Sequence, residues 1–229
     1  MRIRLLIVLL STISAAVGLV GCGTTVPQKS KLDPDNIKEL DFYVLPSKIS
    51  LIEKANIACL NPFLSDSFDL LFESKLPVAL KSDVKFNKFE IFDEDVRDDI
   101  DNQLFKIILD VEKIRRIKKY KPDSRLIEFL NLSNKQYLFV SYSKGFTREH
   151  GNFGMQIAKG IGIGLLTGGR VIPVPFKANF TNVFYIIDVK NSNLAFYQRN
   201  TQELEPLKPQ NVEYKIDRIL GGYFRKITY

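Results

Sequence analysis

The chain has 229 residues, with 33 Lys+Arg against 26 Asp+Glu, one His, two Cys and no Trp. Hydrophobic residues make up 45% and charged residues 26%, which suits a globular domain with a real core and excludes a disordered chain. One His and two Cys exclude His-rich or Cys-rich metal clusters and a multi-disulfide scaffold.

Arg2 and Arg4 precede an apolar stretch from Leu5 to Val20. It has the length and flanks of a secretory signal and falls short of the roughly 20 residues that a membrane span needs. Its end, Leu19-Val20-Gly21-Cys22, resembles the bacterial lipobox. That resemblance implies removal of residues 1–21 as a lipoprotein signal peptide, and diacylglycerol and palmitate-like acyl chains on Cys22. At about 0.8 kcal/mol per buried CH₂, three chains would hold the protein firmly on a lipid bilayer. Gly23 stands where an Asp would mark retention at the inner membrane, so the resemblance points to the outer membrane, facing the periplasm, with the inner membrane as the alternative. Such a compartment offers neither ATP nor nucleic acid as a routine partner. Loss of Arg2 and Arg4 with the signal lowers the net charge from +7 to +5, and Cys59 is left as the one free thiol.

Residues 22–39 are polar, with Pro27 and Pro34 and no periodicity, and read as the lipidated Cys followed by a flexible tether. A single domain over 40–229 follows. Asp41–Leu45 and Ile49–Ile52 read as short strands, and Ala55–Leu60, an apolar run stopped by Asn61-Pro62, as a buried strand holding a structural Cys59. Ser65 or Asp66 opens a helix carrying Phe68, Leu71, Phe72 and Ala79, which Pro77 should kink or end. Val84–Phe92 reads as a strand.

The strongest helical pattern is Val96, Ile100, Leu104, Ile107, Ile108, Val111 and Ile114, at steps of three and four. Acidic residues from Asp93 to Asp101 crowd its start and six cations from Lys113 to Lys121 its end, the order that complements the helix dipole. A short helix over Asp123–Leu130 leads to a strand at Tyr137–Tyr142. Eight of the 13 Gly then fall within 145–169, and none within 24–144. This stretch, 145–172, reads as a glycine-rich loop or hairpin. Phe180–Lys190 and Leu194–Arg199 form a hairpin about Asn191-Ser192-Asn193, and Asn211 opens a last helix to Ile227. Alternation of this kind predicts an α/β (α+β) fold, a single mixed sheet with two to four helices packed on it.

Ile57-Ala58-Cys59-Leu60-Asn61-Pro62-Phe63, the helix after it, the strand and amphipathic helix that follow, and Phe184–Phe196 together resemble one known domain. It is shared by the curli-secretion channel lipoprotein, the peptidoglycan-synthase activator lipoproteins and the N-terminal domain of the Tol translocation protein. The resemblance implies an α/β domain working in the cell envelope.

Little catalytic chemistry is available. His150 is the sole imidazole, no Gly-x-Ser-x-Gly elbow exists, and the acidic run lacks calcium-loop spacing. The Gly-rich stretch lacks the Gly-Lys-Ser/Thr ending of a phosphate loop. The expectation is therefore no enzyme, no metal and no cofactor. The leading reading is an interaction or assembly factor of the envelope. Its alternatives are a subunit of an oligomeric envelope or secretion complex using a 154–172 hairpin, and a hydrolase acting on envelope material. Candidate contact residues toward a partner, a second copy or lipid are Lys159, Ile161, Ile163, Leu165, Leu166 and Arg170 in the glycine-rich stretch. Arg115, Arg116, Lys118 and Lys119 are further candidates, in the basic run.

Overall fold

The computed structural model describes residues 26–29, 37–53, 57–80, 84–114, 117, 120–167 and 175–221. In chain order these form strands β1 (Val26–Lys29), β2 (Glu39–Val44), β3 (Lys48–Ile52) and β4 (Ala58–Leu60), helix α1 (Pro62–Leu80), strand β5 (Lys85–Lys88), and helices α2 (Glu94–Ile114) and α3 (Ser124–Leu132). Strand β6 (Tyr137–Arg148), helix α4 (Asn152–Leu166), strands β7 (Asn179–Asp188) and β8 (Asn193–Gln202), and helix α5 (Pro209–Ile216) follow, with a π-helical turn at Asp217–Gly221.

The strands make one mixed sheet in the order β1-β8-β7-β6-β2-β5, with β3 and β4 added beside the far half of β6. β2 is parallel to both β5 and β6, while β6, β7, β8 and β1 run alternately antiparallel. The chain steps outward from β2 to β5 and then back from β5 to β6. Parallel crossovers are right-handed, so opposite steps put their helices on opposite faces. That is the arrangement found. α1 and α5 cover one face, where Phe68, Phe72, Leu76, Val212 and Ile216 meet Leu40, Phe139, Phe184 and Ile186. α2 and α3 cover the other, where Leu104, Ile107, Leu126 and Leu130 meet Leu138, Val140, Val183 and Tyr185. With both faces covered, nine of the ten residues of β7 are buried, as expected of a central strand.

The helix ends follow local chemistry. Asn61 Oδ1 accepts from Leu64 N–H at 3.0 Å, so α1 begins at Pro62, a few residues ahead of the expected Ser65 or Asp66. Pro is well placed at a first helical position, where its missing N–H costs nothing. α1 also continues past Pro77 to Leu80, because Leu76 and Ala79 stay buried there. Asp93 Oδ1 accepts from Val96 N–H at 3.1 Å at the start of α2, and Asp123 Oδ1 from Arg125 N–H at 2.9 Å at the start of α3.

Three expectations are corrected. The tether assigned to 22–39 includes a strand, since Val26–Lys29 pair with β8. An edge strand offers unpaired backbone groups whatever the side chains of the segment that joins it. Ile37 is also buried, ahead of the expected boundary at 40. The strand that was to bury Cys59 is a three-residue edge piece, and Cys59 is exposed. The glycine-rich stretch is neither loop nor hairpin over 152–166 but helix α4.

Candidate functional site

β6 and α4 together build the most unusual feature of the fold. The first half of β6 pairs with β2, and its second half pairs with β3, ending with Arg148 opposite Ile52. Gly145 sits in that second half, where a Cβ would lie 2.3 Å from the Asn179 carbonyl oxygen and 2.6 Å from Phe180 Cβ. β6 and β7 approach too closely there for any side chain. Gly151, at φ +84°, turns the chain into α4 in a backbone region that L-residues with a side chain avoid.

The start of α4 is tied down by one polar side chain. Asn152 is buried, and its Nδ2 donates to the carbonyl oxygens of Ile52, at 3.4 Å, and Glu53. Its Oδ1 accepts from Arg148 Nη1 at 3.2 Å. Arg148 Nε donates to the Phe176 carbonyl oxygen at 2.7 Å, and Glu149 N–H donates to the Ile52 carbonyl oxygen at 3.0 Å. Asn152 and Arg148 thus fasten the end of β3, the end of β6, the start of α4 and the segment before β7 into one knot. Asn152→Ala removes donors that satisfy buried carbonyls, and we expect a loss of about 1–3 kcal/mol in local stability. Hydrogen exchange should show it as faster exchange in α4 with little change in β7.

Beyond that knot α4 carries little that the domain uses. No described side chain of α4 belongs to either core, and among its described residues only Asn152 and Gly160 are buried. Met155, Ile157, Ile161, Ile163 and Leu166 are exposed, Leu166 at 89%. Lys159 is exposed and is the single charged residue between Asn152 and Leu166. A Cβ at Gly154 or Gly162 would meet nothing within 4 Å. These two glycines weaken a helix by up to about 1 kcal/mol each relative to Ala, with no crowding within the fold to require them.

The anticipated contact residues are therefore divided. Lys159, Ile161, Ile163 and Leu166 share an exposed helix. Leu165 lies in the same helix, with its side chain outside the described set. Cys22, Arg115, Arg116, Lys118, Lys119 and Arg170 lie outside the described residues. Ile57 and Phe176, both exposed large apolar residues, were not among the expected contact residues, nor were Arg148 and Asn152. An Asn directly before an apolar run was the available signal.

A concavity of about 650 Å³ opens between α1 and the start of α2 and is bordered by Asp66, Asp69, Glu73, Asp98, Asp101 and Arg97. Burial pushes the Asp69 carboxyl up to about 6, with Asp66 and Glu73 adding to the rise, against the Ser47 N–H bond at 3.1 Å. Asp101 is also raised by burial, while accepting a 2.7 Å bond from the Tyr43 hydroxyl. Among the described residues no cluster of three His, Cys, Asp or Glu is arranged to hold a metal ion. No helix among them is long and apolar enough to cross a membrane. His150 is exposed in the turn before α4.

By sequence, no family model and no curated protein matches the chain. Among solved structures, the chain is similar to the PelC dodecamer from Paraburkholderia phytofirmans, with 10% identity over 90% of this chain and 99% of that one and a TM-score of 0.38. It is also similar to a DUF4136 family protein from Bacteroides thetaiotaomicron, with 4% identity over 87% of this chain and 95% of that one and a TM-score of 0.31. At these values neither likeness transfers a role to this chain.

Proposed function

We propose that this protein is a lipoprotein held on the bacterial envelope through acylated Cys22, facing the periplasm, where it acts as a non-catalytic interaction or assembly factor. The observation that carries the reading is the apolar, nearly uncharged helix α4, fastened at its start by Asn152, with Met155, Ile157, Ile161, Ile163 and Leu166 exposed. A helix with exposed apolar side chains on opposite sides suits an occupied environment better than water. The signal-like segment and Leu19-Val20-Gly21-Cys22 supply the membrane side of the reading.

Metabolic labelling with an alkyne palmitate analogue tests it. The wild-type chain should take up label and fractionate with outer membranes, and Cys22→Ser should lose both properties. Crosslinking from native envelopes should then recover a protein partner that Cys22→Ser fails to reach. An unlabelled wild-type chain would falsify the anchor. A second reading, a hydrolase of envelope material, draws on the raised Asp69 and Asp101 carboxyls in one acidic cleft. A raised carboxyl can serve as a general acid. Unchanged envelope composition after Asp69→Asn would remove that reading.

A further inference from the structure

The direction of β1 fixes which end of the sheet faces the N-terminal anchor. β1 runs antiparallel to β8, with Val26 opposite Arg199 and Lys29 opposite Phe196. The start of β1 therefore points to the end of the sheet where Gln202 faces Phe180, and Phe180 in turn faces Gly145. This is the end at which β6 finishes and α4 begins. Cys22 is four residues from Val26, a contour of at most about 14 Å at 3.3–3.6 Å per residue. An acyl group on Cys22 is thus confined near the end of the sheet that carries α4.

Exposed apolar groups gather at the same end. β3 finishes there, with Ile52 opposite Arg148. β4 starts there, with Ala58 opposite Ile52, and exposed Ile57 precedes it. Half-exposed Phe176 is held there by Arg148. The opposite end, where β2 and β6 start, is instead a polar concavity bordered by Lys38, Glu39, Asp41, Lys135 and Lys190. Exposed apolar side chains of α4, Ile57 and Phe176 thus stand at the end of the sheet nearest the anchor, and charged side chains border the concavity at the other.

We infer that α4 is a second membrane contact, inserted into the leaflet that holds Cys22, with bilayer lipid covering its exposed side chains. The inference rests on the lipoprotein reading given above. Successive helical residues are 100° apart, so Met155, Leu166 and Ile163 lie within about 80° of one another and Ile157 and Ile161 lie on the opposite side. Lipid can surround such a helix, whereas one flat protein partner would cover one side. At 15 residues, α4 is about 22 Å long, shorter than the roughly 30 Å hydrocarbon core, so it embeds in one leaflet and does not span. Lys159 can extend its stem so that the ammonium reaches the headgroup layer. Two attachments at one end also fix the orientation of the domain, with its polar end facing away from the membrane.

The absence of Trp from the chain makes a clean test possible. Two single-Trp variants of the lipidated protein, Ile161→Trp and Leu132→Trp, are reconstituted in phosphatidylethanolamine/phosphatidylglycerol vesicles with brominated acyl chains. Both positions are exposed and belong to neither core, so neither change removes a core contact, and Leu132 closes α3 just ahead of the polar start of β6. The inference expects blue-shifted emission and several-fold stronger quenching for Ile161→Trp than for Leu132→Trp, and Leu166→Trp should repeat the result. Mass spectrometry of the same samples reports acylation. An unmodified Cys22 overturns the anchor and this inference together. An acylated, vesicle-bound chain with an unquenched Ile161→Trp reporter overturns the insertion of α4 alone. Emission shifted by protein concentration but unquenched by bromine assigns the helix to a second copy and likewise overturns lipid contact. Equal quenching at both positions overturns the orientation.

Discussion

Phe184→Ala is expected to destabilise the protein by about 3–5 kcal/mol, the usual range for a fully buried Phe in a core that can relax only in part. Phe184 lies on β7 with no exposed surface. Its ring meets Phe72 of α1 at 5.5 Å between centroids and Phe139 of β6 at 5.5 Å, the latter edge-on. Truncation opens a cavity between the sheet and α1, walled by residues whose own positions are fixed by β6–β7 pairing. For a chain of this size, the loss corresponds to a fall in Tm of about 6–20 °C. Thermal and urea unfolding of the solubilised protein check the result. A midpoint within about 2 °C of wild type would mean that α1 does not pack on this face as described.

Lys215→Met is expected to stabilise the protein below pH 7 by about 1–3 kcal/mol, and to lose that advantage as pH rises. Lys215 is 1% exposed. Its Nζ donates to the Phe180 carbonyl oxygen at 2.9 Å and the Asn200 carbonyl oxygen at 3.4 Å, and it lies 4.2 Å from the centre of the Phe180 ring. Among the described residues no carboxylate pairs with it. Asn182 and Asn200 lie opposite one another on the same face, and they are neutral. Burial lowers the Lys215 ammonium from 10.5 to about 7, with Arg218 adding to the fall. The unfolded chain therefore binds a proton between about pH 7 and pH 10.5 that the folded chain has released. Stability from this group rises with pH across that window and is at its minimum below it.

Met has similar length and no charge, so it removes the desolvation cost together with two hydrogen bonds and the ring contact. The wild-type and Lys215→Met stability curves should converge between pH 7 and pH 9.5. Above pH 10, buried tyrosines such as Tyr197, raised by burial, start to oppose folding in both proteins. Parallel curves from pH 6 to pH 9.5 would show that Lys215 keeps its charge in the folded state.

How much could be read from the sequence varied by element, for physical reasons. α2 was legible in its position and in the centre of its buried face. Its periodicity, the Asp93 cap and the acidic start are local to the helix, and Ile100, Leu104, Ile107, Ile108 and Val111 are buried as the spacing requires, while Val96 and Ile114 near its two ends are exposed and Lys113 alone of the expected cations falls inside it. The β7–β8 hairpin was legible for the same reason, with turn residues between two apolar runs; Ser192 takes a positive φ in that turn. β1 was not legible. Its pairing depends on the free edge of β8, about 170 residues away in the chain.

α4 shows the opposite failure. Four glycines at 154, 160, 162 and 164 lower helix propensity enough to read as a loop, yet Met, Ile, Ala and Leu between them favour a helix. The Asn152 knot holds the first turn of the helix, and it depends on β3 and β6 lying side by side. Cys59 was misplaced because an apolar run of strand length looks the same whether a sheet covers it or leaves it at the edge. Tertiary neighbours decide that, and β4 has β3 alone.

The sequence by itself determined the alternation that makes an α/β sheet and the identity of its best helix, and it supplied the lipobox-like residues on which the proposed anchor rests. These are local patterns, and local physics is enough to read them. Only the tertiary structure decided that helices cover both faces, that 152–166 is an uncovered apolar helix, and that the start of β1 and the start of α4 share one end of the sheet. Each of these depends on strand pairing across long separations, which no window of sequence contains.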